Sequence, residues 1–350
     1  MSYGCLIKIH IISVKFYRKL FFPFVPVYYA VTWMRNACYD FGIIKSVSYD
    51  FPVICVGNLS VGGTGKTPMI EYLIELLKDN YRVATLSRGY KRKTEGFVLA
   101  NEKSSAESIG DEPVQFYAKY KKDIQVAVDI NRVHGINCLK SLENAPEVIL
   151  LDDAFQHRKV KAGFNILLTT YDHLYVNDFL LPAGDLRESK HGAQRADIIV
   201  VTKCPLELNE EERQGFVSKI KPLNHQYVFF SSIHYADVIK SSYESKKLAD
   251  ISDFTLVTGI ANANPLVTYL RKSNLKFDHL NFQDHYNFTL KDVQELSKNK
   301  LIITTEKDFM RLQNFESLKG KLFYLPIFVT IDNSEIFNDL IKRFVLSKKK

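Results

Sequence analysis

The segment from Gly57 to Thr67, GNLSVGGTGKT, has the residue types of a loop that binds phosphate groups. Its closely spaced glycines let the backbone approach an anion, so that peptide N–H groups and the start of a following helix can donate to phosphate oxygens. Lys66 can then reach the β- and γ-phosphates of a nucleotide, and the Thr67 hydroxyl can ligate Mg²⁺. The strict pattern G-x-x-x-x-G-K-[ST] has glycine where this chain has Ser60, so a glycine-rich turn that binds no nucleotide is the alternative. The predicted nucleotide-binding residues are Ser60, Val61, Gly62, Gly63, Thr64, Gly65, Lys66 and Thr67.

A pair of aspartates supplies further candidate ligands for a magnesium ion. Asp152 and Asp153 end the apolar run EVILLDD at residues 147–153. Carboxylates at the carboxyl end of a parallel strand lie at the edge of the sheet where nucleotides bind. We therefore predict a Mg²⁺ site formed by Thr67, Asp152 and Asp153; a strand that ends in an ordinary polar turn is the alternative.

The elements that must position these residues are visible on both sides of the glycine loop. The apolar run FPVICV (51–56) is typical of a buried strand, and PMIEYLIELLKDN (68–80) has apolar residues at helical spacing. Pro68 falls in the first helical turn, where its missing N–H costs nothing. Strand, glycine loop and helix together are the context that a phosphate-binding loop requires.

Length and composition restrict the class of protein. The chain has 350 residues, of which 46% are hydrophobic and 25% charged, which fits two globular domains and excludes a disordered or collagen-like chain. Its five cysteines are scattered without a CxxC pair, so neither a zinc site nor a disulfide framework is indicated, and a reducing cytoplasm fits.

The first forty residues carry much of the formal net charge of +8. Residues 1–39 contain basic side chains and no acidic one, and a charge-free aromatic stretch covers residues 20–34. That stretch is too short to span a membrane and contains Pro23 and Pro26, which we expect to break it. Basic, apolar and aromatic residues together indicate a segment that lies in a membrane interface. An N-terminal helix packed on the core is the alternative.

Other motifs occur in a fixed order along the chain. The loop reads VGN-x-S-VGGTGKTP, and the later motifs are LSRGY (86–90), GDEP (110–113), DD-x-x-QHR (152–158), LPAG-x-LRE (181–188), DH (284–285) and TEKD (305–308). From about residue 50 to residue 312 the chain resembles the tetraacyldisaccharide 4′-kinases of lipid A biosynthesis, in which serine also replaces the glycine of the strict loop. It departs from that family at Ala154, at Asp185 and in the sequence TGIANANP.

The resemblance implies a reaction and a location. ATP, with Mg²⁺ as cofactor, would phosphorylate the 4′-hydroxyl of tetraacyldisaccharide 1-phosphate to form lipid IVA. The enzyme would act at the cytoplasmic face of the inner membrane of a Gram-negative bacterium. We expect a monomer that is associated with the membrane surface and has no nucleic-acid partner.

The resemblance also implies an α/β fold with a P-loop NTPase-like parallel sheet domain and a second, smaller α/β domain joined by a β-ribbon linker. We expect the membrane-interface segment at 1–40, the nucleotide-binding kinase domain at 41–225, the ribbon at 226–250 and the smaller domain at 251–350. The smaller domain would close the cleft that holds the active site.

The site residues implied by the resemblance fall into two groups. The catalytic residues are Asp111, His285, Lys66, Asp153 and Arg187, and the substrate-binding residues are Arg88, Glu112, Arg132, Gln156 and His157. Asp111 and His285 would form a dyad that accepts the proton of the sugar hydroxyl. Because the expected boundaries put them in different domains, the dyad would form only when the cleft closes. Taken alone, Asp111 could equally be a helix N-cap, and His285 a hydrogen-bonded loop residue.

Two other functions compete with the kinase. A membrane-associated ATPase of the ParA or MinD type would have lysine immediately before the double glycine, where this chain has Val61. A nucleotide-sensing or nucleic-acid-binding protein would explain the net charge, but the chain has no recognisable nucleic-acid motif.

Overall fold

The computed structural model describes residues 18–284 and 286–348 and shows an α/β protein. The chain forms two compact units, each assembled from separate stretches of sequence. The first unit comprises the described residues of Met1–Arg88 together with Asn131–Ser232 and Thr330–Lys350. The second unit comprises Gly89–Ile130 and Ile233–Val329.

The first unit is built on a parallel sheet whose central strands are apolar on both faces, as expected when helices cover both sides. The strand Val53–Asn58, which leads into the glycine loop, is buried along its whole length. Six strands follow one another in space in the order Tyr227–Tyr235, Ile198–Thr202, Phe164–Thr170, Val53–Asn58, Val148–Asp152 and Val83–Ser87. All of their pairings are parallel.

Helices of the first unit cover this sheet and include the last helix of the chain. Ser334–Ser347 buries Phe337, Ile341 and Val345, and the Phe337 ring packs edge-on against Tyr72. The α-helices are Val25–Asp40, Lys66–Leu77, Arg132–Lys140, Glu210–Ile220 and Ser334–Ser347, and the 3₁₀ helices are Lys19–Phe24, Tyr175–Asn177 and Lys190–Arg195. Two short strands, Val47–Ser48 and Val160–Lys161, form a separate parallel pair.

The second unit has a mixed sheet of six strands. In spatial order they are Ser245–Lys247, Val238–Lys240, Leu322–Tyr324, Ile302–Thr304, Asp253–Thr258 and Lys276–Asn281. Its helices are Ala106–Ile109, Asp111–Tyr120, Asn264–Lys272, Leu290–Leu296 and Glu306–Leu312, with 3₁₀ turns at Lys121–Asp123, Leu248–Asp250 and Glu316–Leu318. Val98–Leu99 pairs antiparallel with Ile124–Val128. The strand Ile327–Ile331 lies beside Tyr227–Tyr235, and the boundary between the units falls within it, after Val329. Phe323 and Phe309 lie in the two apolar clusters that form the core of the second unit.

The observed units differ from the expected domain boundaries in two places. Residues 89–130, expected within a continuous nucleotide-binding domain, belong to the second unit, because their helices pack there. The expected ribbon at 226–250 is also divided: Tyr227–Phe230 extends the first sheet in parallel with residues 198–201, since these side chains are largely apolar. Only Val238–Lys240 and Ser245–Lys247 form an antiparallel hairpin.

The N-terminal aromatic stretch is helical. A 3₁₀ helix at Lys19–Phe24 contains Pro23, and the α-helix Val25–Asp40 follows with Pro26 in its first turn. The expectation that Pro26 breaks the stretch is wrong, because a proline in the first turn lacks only an N–H that no helical carbonyl would accept. No residue of the helix Val25–Asp40 is buried, which is not what a helix packed into the core would give. In the described part of the chain, no helix combines the length and apolar character needed to cross a bilayer.

Candidate active site

The glycine loop joins the buried strand Val53–Asn58 to the helix Lys66–Leu77. Gly65 precedes the helix with φ of +87°, a left-handed conformation that a residue with a side chain adopts at a cost. At Gly57 a Cβ atom would lie 2.6 Å from the Cβ of Phe155, so only glycine fits the observed backbone there. Strand, glycine loop and helix thus follow one another as the sequence predicts.

Residues at the end of the strand Ile198–Thr202, which is two positions from the loop strand in the sheet, hold the loop from one side. The Thr202 hydroxyl donates to the carbonyl of Thr64 at 2.8 Å, and Lys203 Nζ donates to the carbonyl of Gly63 at 2.6 Å. Burial lowers the pKa of Lys203, and the nearby charge of Lys66 lowers it further, while Asp172 opposes these effects. A second lysine therefore lies beside the loop in addition to Lys66.

Asn58 is the centre of a polar cluster at the end of the strand Val53–Asn58. Its buried side chain donates to the Ser60 carbonyl at 2.7 Å and accepts from Arg187 and, at 3.5 Å, from Lys66 Nζ. Arg187 also donates to the Asn58 carbonyl at 2.9 Å and forms a fork with Asp153, with N–O distances of 2.8 and 3.1 Å. Lys66 Nζ lies 3.7 Å from the same carboxylate. The structure thus brings together Lys66, Asp153 and Arg187, which the sequence assigned to catalysis.

Asp153 has an unusual backbone and a perturbed carboxylate. It lies at φ of +51°, and its N–H donates to the carbonyl of Val56, which ties it to the strand before the loop. Burial acts to raise its pKa, but the Arg187 hydrogen bonds and the charges of Lys66, Arg187 and Arg132 outweigh burial and lower the pKa. The carboxylate is therefore ionised at neutral pH. A left-handed aspartate at this position is the kind of local strain that functional sites retain.

Asp152 and Arg132 lie next to this cluster and are both buried. Burial lowers the pKa of Arg132, while the charges of Asp152 and Asp153 act against that effect. Asp152 pairs in register with Val56 of the loop strand, which places its carboxylate at the same end of the sheet as the glycine loop.

The residues expected to hold Mg²⁺ have suitable chemistry. The Thr67 hydroxyl and the carboxylates of Asp152 and Asp153 are hard oxygen donors, which Mg²⁺ prefers together with phosphate oxygens and water. The described residues contain no cluster of three acidic, histidine or cysteine side chains that could hold a metal without a nucleotide. The set fits an ion that is bound mainly through the phosphates.

The loop that carries Arg187 is fastened to the glycine loop by backbone hydrogen bonds. Arg187 N–H donates to the Leu59 carbonyl at 2.7 Å, and Val61 N–H donates to the Asp185 carbonyl at 2.8 Å. Ser60 and Leu186 form an isolated antiparallel bridge between the same two segments. The guanidinium of Arg187 is therefore positioned by the backbone of the phosphate loop itself.

Gln156 and Glu188 form a second buried network. Gln156 Nε2 donates to the Asn58 carbonyl at 2.8 Å and to Glu188 Oε1 at 2.9 Å. Arg195 donates to the same Glu188 oxygen at 2.8 Å and stacks on the ring of Phe155. The amide nitrogen of Gln156, a residue expected to bind substrate, is thus engaged within the protein, whereas its Oε1 atom is buried and has no hydrogen-bond partner among the described residues.

The helix Val25–Asp40 contacts the segments that carry these motifs. The Tyr28 hydroxyl donates to the Arg187 carbonyl at 2.9 Å, Asn36 donates to Glu188 at 3.0 Å, and Arg35 donates to the Gln156 carbonyl at 2.6 Å. Further along, Arg158 pairs with Asp40 at 2.6 Å, so the contact extends over the length of the helix. Its contacting side is polar and bound to the catalytic motifs.

His157 and Arg88, both expected to bind substrate, belong to a group of basic residues near the aspartates. Burial is the main cause that lowers the pKa of His157 to about 4, and the charges of Arg132, Lys159, Arg35 and Arg88 add to it. The imidazole is therefore neutral at pH 7 and able both to donate and to accept a hydrogen bond. Arg88 follows the strand Val83–Ser87 and is exposed.

The other candidate residues lie in the second unit. Asp111 begins the helix Asp111–Tyr120, and Gly110 is its N-cap, so the simple capping role for Asp111 is wrong. Its carboxylate instead accepts a fork from Arg311, with Nε at 3.2 Å from Oδ1. Glu112 lies 3.6 Å from Lys307. His285 lies outside the described residues, but Asp111 and the residues on both sides of position 285 belong to the same unit, which differs from the expected separation into two domains.

Several residues of these networks were not assigned a role from the sequence. From the sequence alone, Asn58 is indistinguishable from an ordinary turn residue after a strand, and Lys203 is only the last residue of the predicted strand ADIIVVTK. Arg311 follows the TEKD motif by three positions, and only its charge at helical spacing from Lys307 signals a role. The residues without an assigned role are Asn58, Glu188, Thr202, Lys203, Lys307 and Arg311.

Comparison with known proteins agrees with this geometry. Residues 17–345 match the family model described as Tetraacyldisaccharide-1-P 4′-kinase, LpxK. The chain is 53% identical to a tetraacyldisaccharide 4′-kinase from Flavobacterium johnsoniae, over 91% of this chain and 94% of that protein. It is 43% identical to a tetraacyldisaccharide 4′-kinase from Bacteroides thetaiotaomicron, over 97% and 94% of the two chains. Among solved structures, it is similar to the "apo" form of LpxK from Aquifex aeolicus in complex with ATP, with a TM-score of 0.76, 32% identity and coverage of 94% and 99%.

Proposed function

The chain belongs to the tetraacyldisaccharide 4′-kinase family, and from that premise we propose how its residues carry out the reaction. It transfers the γ-phosphate of ATP to the 4′-hydroxyl of tetraacyldisaccharide 1-phosphate in lipid A biosynthesis. Family membership decides against the ParA- or MinD-type ATPase. The observation that carries the mechanism is the cluster of Lys66, Asp153 and Arg187 around Asn58.

The phosphates of ATP bind to residues 60–67. Peptide N–H groups of the loop and of the first turn of the helix Lys66–Leu77 donate to phosphate oxygens. Lys66 and Arg187 neutralise the charge that develops on the transferring phosphoryl group, which is the largest contribution a protein makes to this chemistry. Asp153 holds both cations in place, since it lies within 4 Å of each.

Thr67, Asp152 and Asp153 would hold Mg²⁺ together with the nucleotide phosphates. When bound, the ion supplies further neutralisation of phosphate charge. The protein contributes oxygen donors at the end of one strand and the start of one helix.

Asp111 and His285 accept the proton of the 4′-hydroxyl as it attacks phosphorus. A sugar hydroxyl is a weak nucleophile, so a positioned base contributes typically 10²–10⁴-fold. Asp111 is suited to the role because its carboxylate is held in one orientation by the Arg311 fork. Arg88, Glu112, Arg132, Gln156 and His157 bind polar groups of the disaccharide.

The enzyme reaches its lipid substrate at the cytoplasmic face of the inner membrane, where it lies on the surface as a monomer. Supporting this proposal, the helix Val25–Asp40 and the preceding turn expose large apolar side chains, including Phe24 at 60%, Val27 at 63% and Trp33 at 56%. Binding to a membrane interface needs both burial of apolar side chains and attraction to anionic lipid. The basic N-terminal residues supply the attraction to anionic lipid.

Trp33 makes this membrane contact directly measurable, because it is the one tryptophan in the sequence. Vesicles that contain phosphatidylglycerol should shift its fluorescence to the blue and sediment the protein. A Val27→Ser/Trp33→Ser variant should stay in the supernatant, whereas the exposed control Tyr243→Ser should sediment like the parent. Sedimentation of the first variant at the parent level would contradict the assignment of this surface.

The reaction is tested with γ-labelled ATP and the tetraacyl disaccharide 1-phosphate in detergent, by following label on the lipid. Lys66→Ala should lower the rate on the order of 10²–10³-fold. Lys298→Ala, at an exposed lysine that also pairs with a carboxylate, is the control and should retain the parent rate. Label transfer at the parent rate by a folded Lys66→Ala protein would refute the mechanism.

A further inference from the structure

The helix Glu306–Leu312 carries two cations one turn apart, at positions 307 and 311. Residues four apart lie on the same face of a helix, so Lys307 and Arg311 point in a common direction. Both belong to the second unit, and neither was assigned a role from the sequence. Their contacts connect the GDEP motif to the segment that surrounds position 285.

Arg311 joins the candidate base to that segment. Its Nε and Nη2 atoms form a fork with the two oxygens of Asp111, and its Nη1 atom donates to the Tyr286 carbonyl at 3.3 Å. The Arg311 side chain is only 10% exposed and that of Asp111 only 18%, so solvent screens this pair little. One rigid guanidinium therefore fixes the distance between Asp111 and the backbone of residue 286.

Lys307 makes the corresponding connection one turn earlier. Its Nζ atom lies 3.6 Å from Glu112 Oε1 and 4.0 Å from Asp284 Oδ1. The two adjacent acidic residues of GDEP are thus each paired with one cation of the same helix. Each cation also contacts a residue next to position 285, on opposite sides of it.

The helix that carries the two cations is itself anchored by a buried carboxylate. Asp308 is fully buried, and its Oδ2 atom accepts from the Thr305 hydroxyl at 2.7 Å and from Gly259 N–H at 2.8 Å. Its Oδ1 atom lies 3.7 Å from Arg311 Nη1. At Gly259 a Cβ atom would lie 2.9 Å from this carboxylate, so the TGIAN and TEKD motifs fit closely together.

We propose that Lys307 and Arg311 are positioning residues for phosphoryl transfer. They hold Asp111 and Glu112 in fixed register with Asp284 and Tyr286, the residues on either side of position 285. This inference rests on the proposed function, because it assigns the two cations a role through Asp111. It also gives the TEKD and TGIAN motifs a common purpose, since Asp308 fixes the helix that bears the cations.

The test compares Arg311→Met and Arg311→Lys with Arg271→Met, at an exposed arginine of the same unit. Arg311→Met should lower kcat on the order of 10²-fold, the cost of a small displacement of a reacting group, and leave KM for ATP within twofold. Arg311→Lys keeps the charge but loses the fork, so its kcat should lie between that of the parent and that of Arg311→Met. Arg271→Met should behave like the parent.

Millimolar guanidinium separates positioning from a general loss of structure. It should restore part of the kcat of Arg311→Ala and have no effect on the parent. Lys307→Met should lower kcat less than Arg311→Met, because its N–O distances of 3.6 and 4.0 Å are longer. If the Arg311 variants do not fold, Lys307→Met alone must still lower kcat with KM for ATP unchanged.

The Asp111→Asn/Arg311→Met double variant separates this inference from the proposed function. If Arg311 acts through Asp111, the double variant should be no slower than the slower single variant. A parent-like kcat in Asp111→Asn would overturn the base assignment itself. A slow Asp111→Asn beside a parent-like Arg311→Met and Lys307→Met would leave the base in place and overturn the positioning role. Multiplicative losses in the double variant would also overturn it.

Discussion

Replacing Arg187 by alanine removes the group that connects the carboxylate of Asp153, which we propose to be catalytic, to Asn58 at the end of the loop strand. Its guanidinium donates two hydrogen bonds to Asp153 and two to Asn58. The pair with Asp153 is partly exposed, with side-chain exposures of 23% and 38%, so we assign it about 1 kcal/mol after screening. Asn58 keeps its contacts with Lys66 and Gln156, so the two lost bonds there cost about 0.5 kcal/mol each, the low end for a neutral acceptor.

The sum predicts that Arg187→Ala lowers the free energy of unfolding by about 2 kcal/mol. The expected loss in kcat is larger, on the order of 10²–10³-fold, because the guanidinium also neutralises charge in the transition state. Arg187→Lys keeps a point charge but cannot reproduce the fork, so we expect an intermediate kcat. Urea denaturation measures the first quantity, and label transfer to lipid at saturating ATP measures the second. A kcat within threefold of the parent in Arg187→Ala would refute the reasoning.

The pH dependence of the same variant gives an independent test. The pKa of Asp153 lies below its ordinary value, so the stability that its ionised form provides is present above the unfolded pKa near 3.9 and is lost as pH falls through the lower folded pKa. Without Arg187, fewer positive charges counteract the effect of burial, so the pKa of Asp153 rises. The acid limb of kcat should therefore move to higher pH, and the stability difference from the parent should be constant at pH 5–8 and shrink in stronger acid. An acid limb at the parent position would show that Arg187 does not act on this carboxylate.

Three further predictions concern other parts of the first unit. Gly57→Ala should lower the unfolding free energy by about 1–3 kcal/mol through the clash with Phe155, whereas the control Gly215→Ala, in a helix with open space around it, should raise it by up to about 1 kcal/mol. An NMR titration should show that the His157 ring protonates with a pKa of about 4, and a midpoint near 6.5 would contradict its burial among cations. Because the unfolded chain takes up this proton at a pKa of 6.5, the free energy of unfolding should fall as pH decreases from 6.5 toward 4. Lys203→Met should raise KM for ATP about tenfold, because a carbonyl of the phosphate loop loses its donor, and an unchanged KM in steady-state kinetics would exclude that role.

The strand, the glycine loop and the following helix were predictable because their signals are local. Glycines, lysine and threonine act within a stretch of eleven residues, and the apolar runs on both sides identify a strand and a helix by period alone. The strand Val148–Asp152 was predictable for the same reason, because a short apolar run precedes two carboxylates.

The networks around these residues were not predictable, because they join residues that are distant in sequence. Asp111 and Arg311 are 200 positions apart, and Arg187 lies 129 positions from Asn58. No local pattern states which arginine pairs with which carboxylate. The different assignment of residues 89–130 has the same origin, because the order of strands and helices along the chain does not reveal with which unit a segment packs.

The order in which the two units are encoded has a consequence for synthesis of the protein on the ribosome. Residues 89–130 cannot complete the core of their unit until residues 233–329 have been made. The core of the first unit is completed later still, because it includes Phe337 of the helix Ser334–Ser347. At roughly 5–20 residues per second, Tyr72 is made on the order of 15–50 s before Phe337, the residue on which its ring packs. The nascent chain therefore lacks part of the core of each unit until these later residues have been made, and we expect its yield in cells to depend on chaperones that hold such chains.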